Sequence, residues 1–418
     1  MRMRLGLLVT TLVVAATVCV TALAGSQAAP GVTNTKFVIG GTFPLSGPAA
    51  YYAPIPVGMK VYFTYINTRR GADHKRGVGG RQIVWKYYDD GYNPANTAQQ
   101  TRKLVEEDKV FATFGALGTE PQQAVVDYMN ERKVPQLLVS TGETGFGAKY
   151  RERPYTIGWQ PDYFAEGKIY GSYAAQNWPT KKIAVLLQND DYGKNYLDGF
   201  KAGLGVSKSG NIVTEQRFNA TDASVAAQVV AARGSGAEVV AIFGTPSPTV
   251  KIYATMKALR YKPEQVILNS VSANDYVMGL ALANSDASTL DGSISTAYLM
   301  NSNDPKYANK ASVKLYFAQM AKWAPNADPK NTFYYYGFAK AYDVVKLLAA
   351  TGKNPTRAKV LYAARHMNWT NPFTLPGIKV KTSATDPFPI SQVKLIKFNG
   401  STKIWTEFGN LITGRGGT

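Results

Sequence analysis

Cysteine is all but missing: the 418-residue chain has one, Cys19, inside an apolar N-terminal run. The rest of the chain therefore has no disulfide, no thiolate zinc site and no cysteine nucleophile. Histidine is nearly as scarce, with only His74 and His366, and neither has a second histidine at metal-ligand spacing. HExxH, GxSxG, a P-loop and a GxGxxG that opens a helix are also absent. These gaps leave no nucleophile–base set, so the chain is expected to be no enzyme and to carry no metal and no cofactor. Acids are few as well, 28 against 47 Lys and Arg, for a formal net charge of +19. Such an excess favours acidic surfaces or ligands without naming one. Its densest stretch, Arg69, Arg70, His74, Lys75, Arg76 and Arg81, is interleaved with Gly71, Gly77, Gly79 and Gly80. Nucleic-acid readers set their basic residues on a helix or among stacking aromatics. A glycine-rich solvated loop is the expectation here, and no nucleic acid is an expected partner.

What is present begins with Arg2 and Arg4, an apolar run from Leu5 to Leu23, and small residues from Ala24 to Ala29. That order predicts a cleaved signal peptide over 1–29, with Ser26-Gln27-Ala28 as the cleavage box, and so a secreted or periplasmic protein. A retained anchor is the competing reading, because the run is just long enough to cross a bilayer. The small residues and Pro30 that follow favour cleavage. A lipid anchor on Cys19 would need a small residue before it, and Val18 stands there. Roughly 390 residues remain, enough for two domains of ordinary size. With Arg2 and Arg4 removed the net charge falls from +19 to +17. No second stretch is apolar enough to span a membrane, and a soluble monomer is expected.

Two stretches share one grammar. The first predicts strands at Phe37–Phe43, Gln82–Tyr88, Val110–Phe114 and Val134–Val139, separated by helices at Pro56–Asn67, Pro94–Glu107 and Glu120–Arg132. The second predicts strands at Lys182–Gln188, Ile212–Phe218, Ala237–Phe243 and Gln265–Asn269, with helices at Gly193–Leu204, Asp222–Arg233 and Pro248–Arg260. Short apolar runs alternating with periodic segments indicate βαβ units and parallel sheets. The fold class is α/β, as two doubly wound, Rossmann-like lobes. The last third is poor in strands and is expected to complete both lobes. The lobes are then 36–158 plus 297–375 and 159–296 plus 376–410, joined by a multi-crossover hinge whose cleft can close. Asp89-Asp90 offers paired carboxylates for acid/base work, but turn formation and capping before Pro94 explain them more simply.

In open α/β sheets, ligands bind beyond the carboxyl ends of the strands. Those ends read Pro44–Pro48, Gly115–Thr119, Ser140–Thr144, Asn189–Gly193 and Gly244–Ser247, all rich in Gly and hydroxyl residues, with tyrosines at Tyr51, Tyr52 and Tyr192. Small residues admit a ligand to the backbone, hydroxyls meet its polar atoms, and tyrosine rings cover its apolar part.

Pro44-Leu45-Ser46-Gly47-Pro48, Tyr88-Asp89-Asp90 with Asn93-Pro94, Phe114-Gly115, Val134-Pro135 and Asp191-Tyr192-Gly193 come in an order that resembles the leucine/isoleucine/valine-binding type of periplasmic receptor. The resemblance implies the type I periplasmic binding fold, a small-molecule ligand clamped between the lobes, and the membrane permease of an ABC transporter as partner. It places Tyr52 as the first-lobe wall and Tyr192 as the second-lobe wall. Ala116, Leu117, Gly118 and Thr119, with Thr141, Gly142, Glu143 and Thr144, become the loops around the ligand's carboxylate, and Thr245 joins the site. Two positions depart from the amino-acid binders of that family: Val271 stands where they place the acid for the ligand's ammonium, and Glu143 where they place a hydroxyl for its carboxylate. An ionised Glu143 about 4 Å from a ligand carboxylate would cost roughly 4 kcal/mol at an effective dielectric near 20. Either Glu143 faces away and Thr141 or Thr144 serves instead, or the ligand is not a standard α-amino acid. The expected function is capture of a branched-chain amino acid or related small polar molecule for uptake; a sensory receptor of the same fold and a secreted hydrolase are the alternatives.

Overall fold

The computed structural model describes residues 29–71 and 74–414. The expected leader lies outside the described residues but for Ala29. No helix among the described residues is long and apolar enough to cross a membrane.

Two sheets organise the chain. The first holds β1 (Lys36–Phe43), β2 (Gln82–Asp89), β3 (Thr113–Phe114), β4 (Gln136–Val139) and β5 (Thr156–Gly158), all parallel, in the order β2-β1-β3-β4-β5. The second begins with β6 (Ile183–Gln188), β7 (Ile212–Phe218), β8 (Val239–Phe243), β9 (Gln265–Leu268) and β10 (Ile294–Ala297), parallel in the order β7-β6-β8-β9-β10. The plan is the same in both: the chain steps outward once, then crosses back over its first strand and continues the other way. Between β1 and β3, and again between β6 and β8, the winding direction reverses, which opens a crevice at the carboxyl ends. Two short strands, β11 (Asn368–Trp369) and β12 (Val380–Lys381), pair with each other, and β13 (Gln392–Asn399) and β14 (Ile404–Thr413) extend the second sheet antiparallel beside β10.

The central strands read as unbroken apolar runs because helices cover both faces. All six residues of β6 and all five of β8 are buried. In the first lobe the turn after β2 uses both its acids. Asp89 accepts from the backbone N–H groups of Leu45, Ser46 and Gly91, at 2.8, 3.2 and 2.9 Å, and ties the loop after β1 to the loop after β2. Asp90 accepts from Tyr92 N, and Asn93 caps the helix Pro94–Arg102. The pair is structural.

Several expectations shift, and two of them have a plain physical reason. The helix foreseen from Asp222 starts at Ala226, since the Asp222 carboxylate accepts from Asn219 N at 2.7 Å and closes a turn instead of capping. A long helix, Tyr163–Asn177, stands where no element was foreseen. It packs against the helix Asp191–Leu204 through glycines on both sides. A Cβ on Gly167 or Gly171 would overlap the carbonyl oxygens of Tyr196 and Phe200, and one on Gly199 or Gly203 those of Phe164 and Lys168. Helix propensity is low at such a sequence, and the close contact it permits compensates. The helices Pro54–Thr68 and Thr332–Ala350 meet in the same way, at Gly58 and Gly337.

Gly171→Val is expected to destabilise the protein by about 1–3 kcal/mol, as overpacking does. Gly210→Ala, where a Cβ meets nothing within 4 Å, is expected to stay within about 0.5 kcal/mol. Urea midpoints of the two variants check this, and equal midpoints would contradict the interlocked packing.

Candidate functional site

The two crevices face each other and enclose a cavity of about 150 Å3. Its first-lobe wall starts at Tyr52, on the short turn Ala50–Tyr52 that the tethered loop after β1 presents. The Tyr52 ring meets Phe333 edge-on at 5.2 Å. Leu117, Gly118 and Thr119 follow at the end of β3. Gly118, with φ of 110°, lies where a side chain would collide with Tyr92 and Pro121, and it lets the helix Thr119–Glu131 begin directly at the cavity. The second-lobe wall is Tyr192, in the first turn of the helix that Asp190 caps by accepting from Gly193 N at 3.0 Å. Tyr163 stands edge-on to it at 5.0 Å. Thr245, at the end of β8, donates to Gln188 Oε1 at 3.0 Å, and Val271 adds an apolar face.

Of the twelve residues singled out by sequence, Tyr52, Leu117, Gly118, Thr119, Tyr192, Thr245 and Val271 line this cavity. Ala116, Thr141, Gly142, Glu143 and Thr144 lie beneath the wall. Thr141 Oγ1 shares a hydrogen bond with Thr119 Oγ1 at 2.8 Å and accepts from Glu143 N at 3.0 Å. Gly142 O accepts from Tyr163 N, and Thr144 Oγ1 donates to Asp162 Oδ1. The Glu143 carboxylate turns onto the backbone, accepting from Gly145 N at 2.9 Å, and burial raises its pKa.

Ser140, which opens the predicted loop Ser140–Thr144, lines the cavity, and several further cavity residues were not foreseen: Tyr92, Gln160, Tyr163, Tyr298 and Tyr336. The run Phe333-Tyr334-Tyr335-Tyr336 was the available signal, four aromatics opening a helix whose other faces are needed for packing. Ser140 and Tyr336 are joined from behind by Lys340, whose Nζ donates to both. Tyr336 Oη in turn donates to Gln160 Oε1 at 2.9 Å. In the second lobe the buried Glu166 accepts from Ser270 N and Ser270 Oγ, each at 2.9 Å, and from Tyr170 Oη. That acid is held one layer behind the cavity wall that Ser270 and Val271 form.

The electrostatics follow from dryness. Burial first, then the neighbouring phenols, holds the Tyr52 and Tyr192 hydroxyls well above the usual tyrosine range, with Tyr52 among the groups that act on Tyr192. Both are therefore neutral donors at physiological pH. Both hydroxyls are buried without a hydrogen-bond partner among the described residues. Contacts across the cleft hold the lobes together: Gln123 Nε2 donates to Asp191 Oδ2 at 3.0 Å, and Thr144 N to Asn195 Oδ1 at 2.8 Å. Among the described residues no group of three or more His, Cys, Asp or Glu is placed to hold a metal ion. The arrangement can enclose a small solute, pair its polar head with hydroxyls and cover its body with rings.

Comparison with known proteins agrees with this geometry. The chain is 28% identical over 208 residues to a Leu/Ile/Val-binding protein homolog of Brucella melitensis, which is 48% of this chain and 52% of that one. The chain thus spans about half the length of that curated relative. Among solved structures, a branched chain amino acid ABC transporter protein from Thermus thermophilus with bound valine superposes with a TM-score of 0.77 at 15% identity, over 92% of this chain and 98% of that one. A solute binding protein of an ABC transporter from Rhodopseudomonas palustris, in complex with 3,4-dihydroxy benzoic acid, gives 0.73 at 19% identity over the same shares. At these identities the two structures speak for the fold, type I periplasmic binding. The model of the periplasmic binding protein family matches residues 36–403, and the chain belongs to that family.

Proposed function

We propose that this chain is the solute-capturing component of an ABC-type uptake transporter, working outside the cytoplasmic membrane after removal of its leader, without a lipid anchor, and delivering its solute to a membrane permease as a monomer. The observation that carries the reading is the pair of buried hydroxyls, Tyr52 Oη from one lobe and Tyr192 Oη from the other, unpartnered among the described residues at one cavity. A buried hydroxyl without a partner costs free energy that a bound solute's polar head recovers. The lobes reach that arrangement only when closed, so a solute that pairs with both hydroxyls binds the closed state better than the open one. Transport by closure needs no covalent chemistry, and the proposal is of a receptor and not an enzyme. The solute has a hydrogen-bonding head and an apolar or aromatic body of roughly the size of a hydrophobic amino acid; the valine and dihydroxybenzoate bound by the two structural neighbours are of this kind.

A thermal-shift screen of the protein against amino acids, aromatic and aliphatic acids, amides, polyols and amines tests the reading. A solute present at about 100 times its Kd is expected to add about 2.7 kcal/mol of stability. Silence across the whole panel would contradict it.

Tyr52→Phe and Tyr192→Phe give a sharper check. Each removes an oxygen that has no hydrogen-bond partner among the described residues, so the thermal midpoint without solute is expected to hold or rise. Each is expected to weaken binding of the screened solute about 10-fold, the loss of one hydrogen bond of about 1–1.5 kcal/mol. Titration calorimetry reads it, and unchanged affinity in both variants would remove the hydroxyls from the site.

A further inference from the structure

Lys340 is a basic side chain in an unusual place. It lies on the helix Thr332–Ala350, is fully buried, and sits behind the first-lobe wall of the cavity. Its Nζ donates to Ser140 Oγ and, at 2.9 Å, to Tyr336 Oη, and both of those residues face the cavity. It also lies over the rings of Trp159 and Tyr336, 4.7 and 4.6 Å from their centres. Among the described residues no carboxylate forms an ion pair with it. Asp343, three residues along the same helix, is engaged elsewhere: it accepts from Trp159 Nε1 and Trp369 Nε1, each at 2.8 Å, and from Asn371 Nδ2 at 3.0 Å. Burying an ammonium without a counter-ion is costly. The hydroxyl protons beside it are also committed, Ser140 Oγ to Gly115 O at 2.6 Å and Tyr336 Oη to Gln160 Oε1. With those protons committed to Gly115 and Gln160, an ammonium has three N–H groups of which Ser140 and Tyr336 take two.

We propose that Lys340, through its positive charge and the N–H that Ser140 and Tyr336 leave free, holds a carboxylate head group of the solute at this wall. The solute is then an apolar or aromatic monocarboxylate without an ammonium group. This rests on the receptor reading above and narrows it. The second half of the inference comes from the opposite wall, where an ammonium would need a free acid. Val271 offers none, Glu166 behind it is taken by Ser270 and Tyr170, and Glu407 by Lys306 and Tyr307. Asp275, whose Oδ1 is unpartnered among the described residues, is pushed by burial toward its neutral form.

Protonation supports the assignment. Burial holds the Lys340 amine well below its ordinary range, with the Asp343 charge opposing. Burial also raises Asp343, to about 6. Beside Lys340 on its own helix, Tyr336 is a phenol held high by burial, and so are Tyr163 and Tyr298, which act on Tyr336, none of them charged near neutral pH. Glu166 is raised by burial as well. An anion brought against Ser140 and Tyr336 favours the charged amine, so binding draws a proton onto Lys340. Affinity for a carboxylate then rises as pH falls toward the amine's folded pKa, until the solute itself protonates near pH ~4.

The experiment is titration calorimetry of the protein with benzoate, 4-methylpentanoate, 4-methylpentanamide and leucine, in two buffers of different ionisation enthalpy at one pH. The expected result is binding of at least one of the two carboxylates, at least 10-fold tighter for 4-methylpentanoate than for its amide or for leucine if that is the carboxylate bound, with proton uptake on binding. Lys340→Met, close in volume and without charge, is expected to lose the uptake and at least 10-fold of the carboxylate affinity, its thermal midpoint being recorded alongside. Should that variant fail to fold, the acid–amide preference and the proton uptake of the unaltered protein decide alone. Leucine bound tighter than the carboxylates, or carboxylate binding without proton uptake, overturns the role of Lys340 and leaves the receptor standing. No saturable binding of any solute, these four or the wider panel, overturns the receptor reading and this inference with it.

Discussion

Polar groups taken out of water must find partners, and closing two lobes over a tyrosine-lined cleft takes several out at once. Most of the phenols and amides around this cavity solve the problem within the protein: Tyr336 with Gln160, Thr245 with Gln188, Ser270 with Glu166. Tyr52 and Tyr192, one from each lobe, have no hydrogen-bond partner among the described residues. On the proposed function, that imbalance ties closure to a solute. The lobes have contacts of their own across the cleft, through Gln123 with Asp191 and Thr144 with Asn195, and these favour the closed form. The two buried hydroxyls oppose it until something accepts or donates to them. A receptor that closed equally well without its solute would have no differential to signal to a permease.

The doubled winding of the sheets puts those groups in place. Each sheet reverses direction once, and the loops at each reversal carry the small and hydroxyl residues that a ligand can approach. The walls need rigidity to hold a cavity of this size, and the glycine contacts between helices provide it on both sides. Gly58 and Gly337 seat the helix that carries Phe333, Tyr336 and Lys340; Gly167, Gly171, Gly199 and Gly203 seat the one that carries Tyr192.

Much of this was legible in the residues. Central parallel strands are buried on both faces, so β6 and β8 are plain apolar runs, and the loops after β1, β3 and β6 announce themselves by glycine and hydroxyls. The helix Tyr163–Asn177 was not legible, because the glycines that let it touch its neighbour are the residues that mark a non-helical stretch. Lys340 was hidden for a related reason. A lysine in an amphipathic pattern reads as a solvent-facing residue, and its burial follows only from the folding of Trp159 and Tyr336 around it. The orientation of Glu143 turned on a local detail, the N–H of Gly145 two residues on, which a loop sequence leaves open. The far wall, from Tyr298 and the aromatics at 333–336, lies more than a hundred residues beyond the first-lobe loops and Tyr192 and joins them only in the fold.

Residues 29–418 contain no cysteine, which makes the central claim directly measurable. Spin labels on Glu131→Cys, in the first lobe, and Val206→Cys, in the second, both exposed positions, report the distance between lobes by electron–electron resonance. With increasing amounts of a solute found in the thermal screen, a broad or long distance distribution is expected to give way to one shorter, narrow one, following the binding isotherm at one solute per chain. A distribution that stays unchanged through saturating binding would contradict closure of the lobes over the solute.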